Sequence, residues 1–194
     1  RLDTAIEGEF LEKLTGVFGD ALDAVVLYGS YVQGDFHPGV SDVNVLILLR
    51  ETDPAALGRL SSRAGRLLKK YRITPLILST REFQRSADVF PMEYLDIAAR
   101  HQVLHGADPT DHLEIDRRNL RHQIEHQMRA NVISLRQLIL AAGGRKRQLG
   151  TRLKAWWGPV AAVFRGLLRL FEAEEVPTDP GELVAAVNEV LGLE

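Results

Sequence analysis

Cysteine is absent from this sequence of 194 residues. Its absence excludes disulfide bonds, thiolate zinc sites and cysteine nucleophiles. No apolar run approaches the roughly 18 residues of a membrane span, and no signal-peptide pattern opens the chain, so we expect a cytoplasmic protein that does not contact a membrane. A strong charge of one sign is also lacking, because the formal net charge is −2. Nucleic acid is therefore not the expected partner.

The composition that remains is that of an ordinary globular protein, with 45% hydrophobic and 26% charged residues. Helix and strand patterns alternate to about residue 110, and from about Ile115 only helical periodicity follows. The sequence therefore predicts two domains, an α+β domain over residues 1–110 and a C-terminal helical bundle over residues 111–194.

The periodicities also predict the elements of each domain. In the first domain, helices are expected over 2–18, 54–71 and 90–102, and strands over 24–27, 42–49 and 72–79. Pro75 predicts an edge position or a bulge for the last strand, since proline cannot donate a ladder hydrogen bond. In the second domain, the predictions are a long helix ending at Gly143-Gly144, one helix over 146–157, another from Pro159, and a last helix capped by Asp179.

One segment of the first domain has the pattern of a phosphate and metal site. The apolar strand ends at Leu27-Tyr28-Gly29-Ser30, a polar stretch with Gly34, Pro38 and Gly39 follows, and Ser41-Asp42-Val43-Asn44 begins the next strand. Glycine allows a backbone to approach a phosphate closely, and Ser30 with nearby N–H groups suits a triphosphate. Positions 42 and 44 share one face of a strand, where a hard cation would take two oxygen ligands.

Gly-Ser followed by Asp-x-Asp resembles the signature of the DNA polymerase beta nucleotidyltransferase superfamily, which includes aminoglycoside and small antitoxin nucleotidyltransferases. The resemblance covers about residues 5–110, and the stretches 90–97 and 103–109 are similar to the end of that domain. It implies an α+β fold with a mixed sheet and flanking helices. It also implies that Gly29 and Ser30 bind the triphosphate and that the acids at positions 42 and 44 bind Mg²⁺.

Two departures from the family pattern predict a degenerate member. Asn44 stands where the family has an acid, and the strand over 72–79 contains no acid where the family has a third. Asp42 therefore remains as the one expected metal ligand, with Asn44 as its neutral neighbour. Two-metal transfer needs anionic oxygens to hold its ions, so Mg²⁺ binding is expected to be weak or lost. Glu93 or Asp96 would have to replace a missing ligand to restore it.

Simpler interpretations of the same residues stay open. Gly29-Ser30 is also typical of a tight turn, Asp42 of a strand-start acid paired with an arginine, and Asn44 of a side chain that bonds to the backbone.

Three patterns in the helical domain have both a functional and a structural interpretation. Arg121 and His126 resemble the ribonuclease motif of HEPN domains, but a solvated helix face is the favoured interpretation, because Arg and His are frequent in this stretch. His122 and His126 are one turn apart, as metal ligands are, but no third ligand is evident. The basic residues at 145–147, 152 and 154 lie beside Trp156 and Trp157, which suits single-stranded nucleic acid but is more typical of tryptophans packed inward.

The predicted function is nucleoside triphosphate binding with weak or lost nucleotidyl transfer. One alternative is an active metal-dependent nucleotidyltransferase that moves a nucleoside monophosphate onto an acceptor that the sequence does not identify. Another is a non-enzymatic, antitoxin-like module, with the helical domain as its surface for a second copy or a partner protein.

Overall fold

The computed structural model describes residues 2–33 and 42–193 of the chain. Four residues of the predicted loop, Gly34, Pro38, Gly39 and Ser41, lie outside the described residues. The chain divides into two compact units, one formed by residues 1–87 with 93–114 and the other by residues 88–92 with 115–194.

The first unit is built on a mixed four-stranded sheet, as the predicted fold class requires. The strands are β1 (Leu22–Tyr28), β2 (Val43–Leu49), β3 (Ile73–Ser79) and β4 (His101–Gly106), in the order β3-β2-β1-β4. β1 is antiparallel to both β2 and β4, whereas β2 and β3 are parallel. β3 is an edge strand, so the edge position predicted from Pro75 is confirmed.

Burial explains why the two central strands form where they do. β1 and β2 are almost continuously apolar, and Val25, Leu27, Val45 and Ile47 have no exposed surface. A strand that is covered on both faces needs such a run rather than an alternation of apolar and polar residues. Buried side chains on one face of these strands form a hydrophobic core with buried side chains of the N-terminal helices and of the helix over residues 54–71.

Helical segments flank or extend this sheet. A π-helical segment, Thr4–Phe10, continues into α1 (Leu11–Phe18), which ends at Gly19. α2 is a single turn at Ser30–Gln33, α3 spans Pro54–Tyr71, α4 spans Thr80–Arg85 and α5 spans Pro91–Ala99. Asp53 caps α3, because its carboxylate accepts hydrogen bonds from the N–H groups of Ala55 and Ala56.

Two elements of the first unit differ from the sequence prediction. The helix expected to reach residue 102 ends at Ala99, and β4 begins at His101. β4 is an edge strand with polar residues at both of its ends, so its pairing with β1 outweighs a weak local pattern. α4 was not predicted, although Ser79 and Glu82 form a capping box at its start.

The second unit contains three long or medium helices, α6 (Arg117–Ala142), α7 (Lys146–Leu170) and α8 (Pro180–Leu191). Asp179 caps α8, and α6 ends at Gly143, as the sequence predicts. The prediction of two helices meeting near Pro159 is wrong, since α7 runs through this proline. Trp157 packs edge-on against Phe164 across it, and this contact favours a continuous helix despite the lost hydrogen bond. Among the described residues, no helix is long and apolar enough to cross a membrane.

Gly106, in β4, is a position where we expect any side chain to destabilise the sheet strongly. Its φ is +78°, and a Cβ there would lie 1.9 Å from the backbone oxygen of Asp23. We expect Gly106→Ala to lower the free energy of unfolding by about 2 kcal/mol or more, because strain and backbone displacement add. Chemical denaturation measures this loss. Gly58→Ala is the control, because its Cβ would meet no atom within 4 Å in a helix and should leave stability equal or higher. Equal effects of the two substitutions would contradict this account.

Candidate nucleotide site

Gly29 and Ser30 follow directly after the last residue of the central strand β1. Gly29 has a φ of +78°, an angle that residues with a side chain rarely adopt. Ser30 is the first residue of α2. The carbonyl of Gly29 accepts a hydrogen bond of 3.0 Å from the N–H of Val32 and closes the turn. The chain thus turns sharply at the position that the sequence assigns to the triphosphate.

Asn44 lies directly beside Gly29. It pairs with Tyr28 across the antiparallel β1–β2 ladder. A Cβ placed on Gly29 would lie 2.8 Å from Nδ2 of Asn44. The backbone angle therefore favours glycine at this position, and a side chain there would also have to displace the amide of Asn44.

Asp42 is paired with an arginine. Its Oδ1 lies 2.7 Å from Nη2 of Arg72, and both side chains are about half exposed, at 48% and 47%. The parallel register explains the pairing, because Val43 is opposite Ile73, and Asp42 and Arg72 each come one residue earlier. The N–H of Val43 also donates to the carbonyl of Arg72 at 2.9 Å. This ion pair is the arrangement that the simpler interpretation of Asp42 predicts.

The residues at the heads of β2 and β3 do not fit a magnesium site of the family's kind. Thr74 is the neighbour of Asn44 on β3, so the third strand offers no carboxylate beside it. A magnesium ion would meet one carboxylate, which already pairs with a guanidinium group, and one neutral amide. Within residues 2–33 and 42–193, no group of three or more histidine, aspartate or glutamate residues is placed to hold a metal.

Two carboxylates lie near the phenol of Tyr28 without forming such a group. Burial raises the pKa of Tyr28 first, and the negative charges of Asp96 and Glu93 raise it further. Both acids are thus within electrostatic reach of Tyr28, the last residue of β1. The sequence named Glu93 and Asp96 as substitutes for the missing ligands but gave no signal for Tyr28 or Arg72.

The motifs of the helical unit take part in local contacts. Nε of Arg121 donates to Oε1 of Glu125 at 2.8 Å. Nε1 of Trp156 donates to the carbonyl of Asn131 at 3.1 Å, and Trp157 packs on Phe164. The two tryptophans therefore pack inward, as the structural interpretation of the basic cluster predicts.

Comparison with known proteins identifies the family to which the chain belongs. Residues 8–104, half of the chain, match the family described as nucleotidyltransferase domain. The chain belongs to this family. The match covers β1 to β3 and most of β4, and it includes all four of the predicted site residues, Gly29, Ser30, Asp42 and Asn44.

Individual relatives are more distant or shorter matches. The chain is 46% identical over 43 residues to "Putative protein adenylyltransferase MJ0141" of Methanocaldococcus jannaschii, which is 22% of this chain and 42% of that protein. The aligned part thus spans less than half of this relative's length. Spectinomycin adenyltransferase AAD(9) from Enterococcus faecialis, solved with ATP and spectinomycin, is 14% identical with a TM-score of 0.47, over 95% of this chain and 97% of that one. A toxin–antitoxin structure with AMP-PNP is 21% identical with a TM-score of 0.37, over 64% of this chain and 93% of that one.

The contact between Gly29 and Asn44 can be tested with a double-mutant cycle. We expect Gly29→Ala to cost about 1–2 kcal/mol from its positive φ, plus a further amount from the contact with Asn44. In an Asn44→Ala background the second amount should disappear, so the cost of Gly29→Ala becomes smaller. Denaturant unfolding of the four proteins measures both terms. If the two costs were equal, Asn44 would not pack against Gly29.

Proposed function

We propose that this protein binds a nucleoside triphosphate at Gly29 and Ser30, and that its nucleotidyl transfer is weak or lost. The observation that carries the proposal is the Asp42–Arg72 ion pair. Where the family resemblance calls for an anionic cluster and Mg²⁺, this chain has one carboxylate, one amide and a guanidinium group. A guanidinium is itself a strong ligand for phosphate oxygens.

The turn at Gly29 supports phosphate binding as well. The residue has no side chain to keep a phosphate away from its backbone, and Ser30 adds a hydroxyl at the same end of the sheet. Arg72 directly precedes β3, the neighbour of β2, and lies next to Asp42. The triphosphate would thus bind to the guanidinium group of Arg72. The carboxylate of Asp42 would compete with the triphosphate for this group. Mg²⁺ is expected to contribute little or nothing to the affinity of this site for the triphosphate.

A second function is favoured by one relative. The short match at 46% identity is to a protein whose name describes adenylyl transfer to proteins. Transfer of an adenylyl group to a protein acceptor is therefore the competing proposal. It requires catalysis to survive with one family carboxylate, and its acceptor would have to be found by labelling.

Thermal unfolding with nucleotides separates an arginine-based site from a metal-based site. At about 100 times its dissociation constant, a ligand adds roughly 2.7 kcal/mol of stability, or about 5–11 °C in the unfolding midpoint of a chain of this size. We expect a shift that is the same with magnesium and with chelator. Arg72→Ala should abolish it, whereas Asp42→Ala should keep or increase it, because Arg72 then loses its competitor.

The control for that experiment is Arg66→Ala, which removes an exposed arginine from α3, the helix that ends just before Arg72. A shift that needs magnesium and disappears in Asp42→Ala would overturn the arginine-based site. No shift with any nucleoside triphosphate would overturn nucleotide binding altogether.

Restoring a carboxylate tests whether its loss explains the weak transfer. We expect the wild-type protein to transfer no label from α-labelled ATP, either to itself or to added protein. Asn44→Asp recreates the Asp-x-Asp pattern and should raise the affinity for Mn²⁺, used as a spectroscopic substitute for Mg²⁺, by about tenfold or more. Titration followed by electron paramagnetic resonance measures this gain, and Asn188→Asp, on α8, is the matched control. Label transfer by the wild-type protein, lost in Asp42→Ala, would favour the adenylyltransferase instead.

A further inference from the structure

The charges of the helical unit are separated along the chain, although the whole sequence is nearly neutral. Residues 126–159, which we call the basic arm, contain seven Lys and Arg residues and no Asp or Glu. Residues 172–193, which we call the acidic segment, contain six Asp and Glu residues and no Lys or Arg. The arm comprises the second part of α6, the turn at Gly143-Gly144 and the first part of α7, and the acidic segment comprises α8 and the residues on either side of it.

The basic arm leaves its apolar side chains uncovered. All of its residues are described by the structure, and Ala142 is the one that is fully buried. Several large aliphatic side chains of the arm are strongly exposed, namely Val132 (44%), Ile133 (54%), Ile139 (51%) and Leu140 (80%). A pair of amphipathic helices normally buries such residues beneath a further layer.

The third helix of the unit, α8, leaves these side chains of the arm exposed. α8 packs against α7, and its buried residues are Leu183 and Val187. The buried residues of α7 all lie from Val160 onward, beyond the arm. The acidic segment also keeps apolar side chains at its surface, with Val184 at 36%, Leu191 at 39% and Leu193 at 57% exposure. Each of the two regions thus has exposed apolar side chains and a charge opposite to that of the other.

We propose that the basic arm of one molecule docks on the acidic segment of a second copy of this chain. An interface about a twofold axis must be complementary to itself, and a surface that carries both a basic and an acidic region meets this condition. Each dimer would then contain the arm–segment contact twice. Aliphatic side chains form the centre of the contact, and the charges steer and orient it.

The same observations disfavour two other partners for the arm. Nucleic acid would be expected to stack bases on exposed aromatic side chains, but Trp156 and Trp157 are packed within the unit. An anionic lipid surface would explain the basic and aliphatic residues of the arm but would leave the acidic segment without a role. A second copy accounts for both regions.

The first test is the molar mass of the full chain in solution, by analytical ultracentrifugation over a range of concentrations. We expect a species of twice 21.7 kDa that dissociates more readily as salt is raised from about 0.05 to 0.5 M, because salt screens exposed charges. Leu140→Ser should weaken dimerisation by about tenfold or more, since it removes an aliphatic side chain from the interface. The control is Val89→Ser, at 58% exposure outside both regions.

A charge exchange then identifies the surfaces that meet. Lys146→Glu with Arg147→Glu should weaken the dimer, as should Glu174→Lys with Glu175→Lys. The protein carrying all four substitutions should regain much of the affinity, because the charges are opposite again. The control pair, Lys69→Glu with Arg81→Glu, makes the same change of charge on the first unit and should have no effect.

Three outcomes would overturn the proposal. One is a monomer at all concentrations, including a monomer that instead binds anionic vesicles or RNA through the arm. Another is a dimer that Leu140→Ser and the charge reversals leave unchanged. The third is a dimer in which the four substitutions together are no better than either pair. None of these results bears on nucleotide binding at Gly29 and Ser30, so the two proposals succeed or fail separately.

Discussion

The antiparallel pairing of β1 with β2 is the constraint on which the first unit depends. Both strands lie inside the sheet, and Val25, Leu27, Val45 and Ile47 are completely buried between them and the flanking helices. Because side chains alternate and each face is covered, a shift of register by one residue would exchange the two faces. The same register places Asn44 opposite Tyr28, beside Gly29, so the packing of the core also fixes the geometry of the site.

The chemistry of that site follows from substitutions at positions that the fold holds constant. A neutral amide at Asn44 and an arginine beside Asp42 change the local charge without changing the strands that carry them. An exposed ion pair of this kind contributes little to stability. The family fold is thus combined with a neutral amide and an ion pair at the heads of β2 and β3.

The helical unit follows a different physical rule. Its helices are long, but the pair α6 and α7 buries side chains mainly near one end, where α8 also packs. A near-neutral net charge conceals a basic stretch over residues 126–159 and an acidic stretch over residues 172–193. The unequal burial and the separated charges together are what the proposed dimer explains.

The sequence by itself determined the fold class, the two central strands and most helix ends, because these depend on local periodicity and on caps such as Asp53 and Asp179. It also predicted the residues of the candidate site and the acids missing from the family pattern. Only the tertiary structure decided that β4 is a strand, that α7 continues through Pro159, and that Arg72 lies against Asp42. These three features arise from pairing and packing between segments distant in the chain, or across a proline, and no local pattern specifies them.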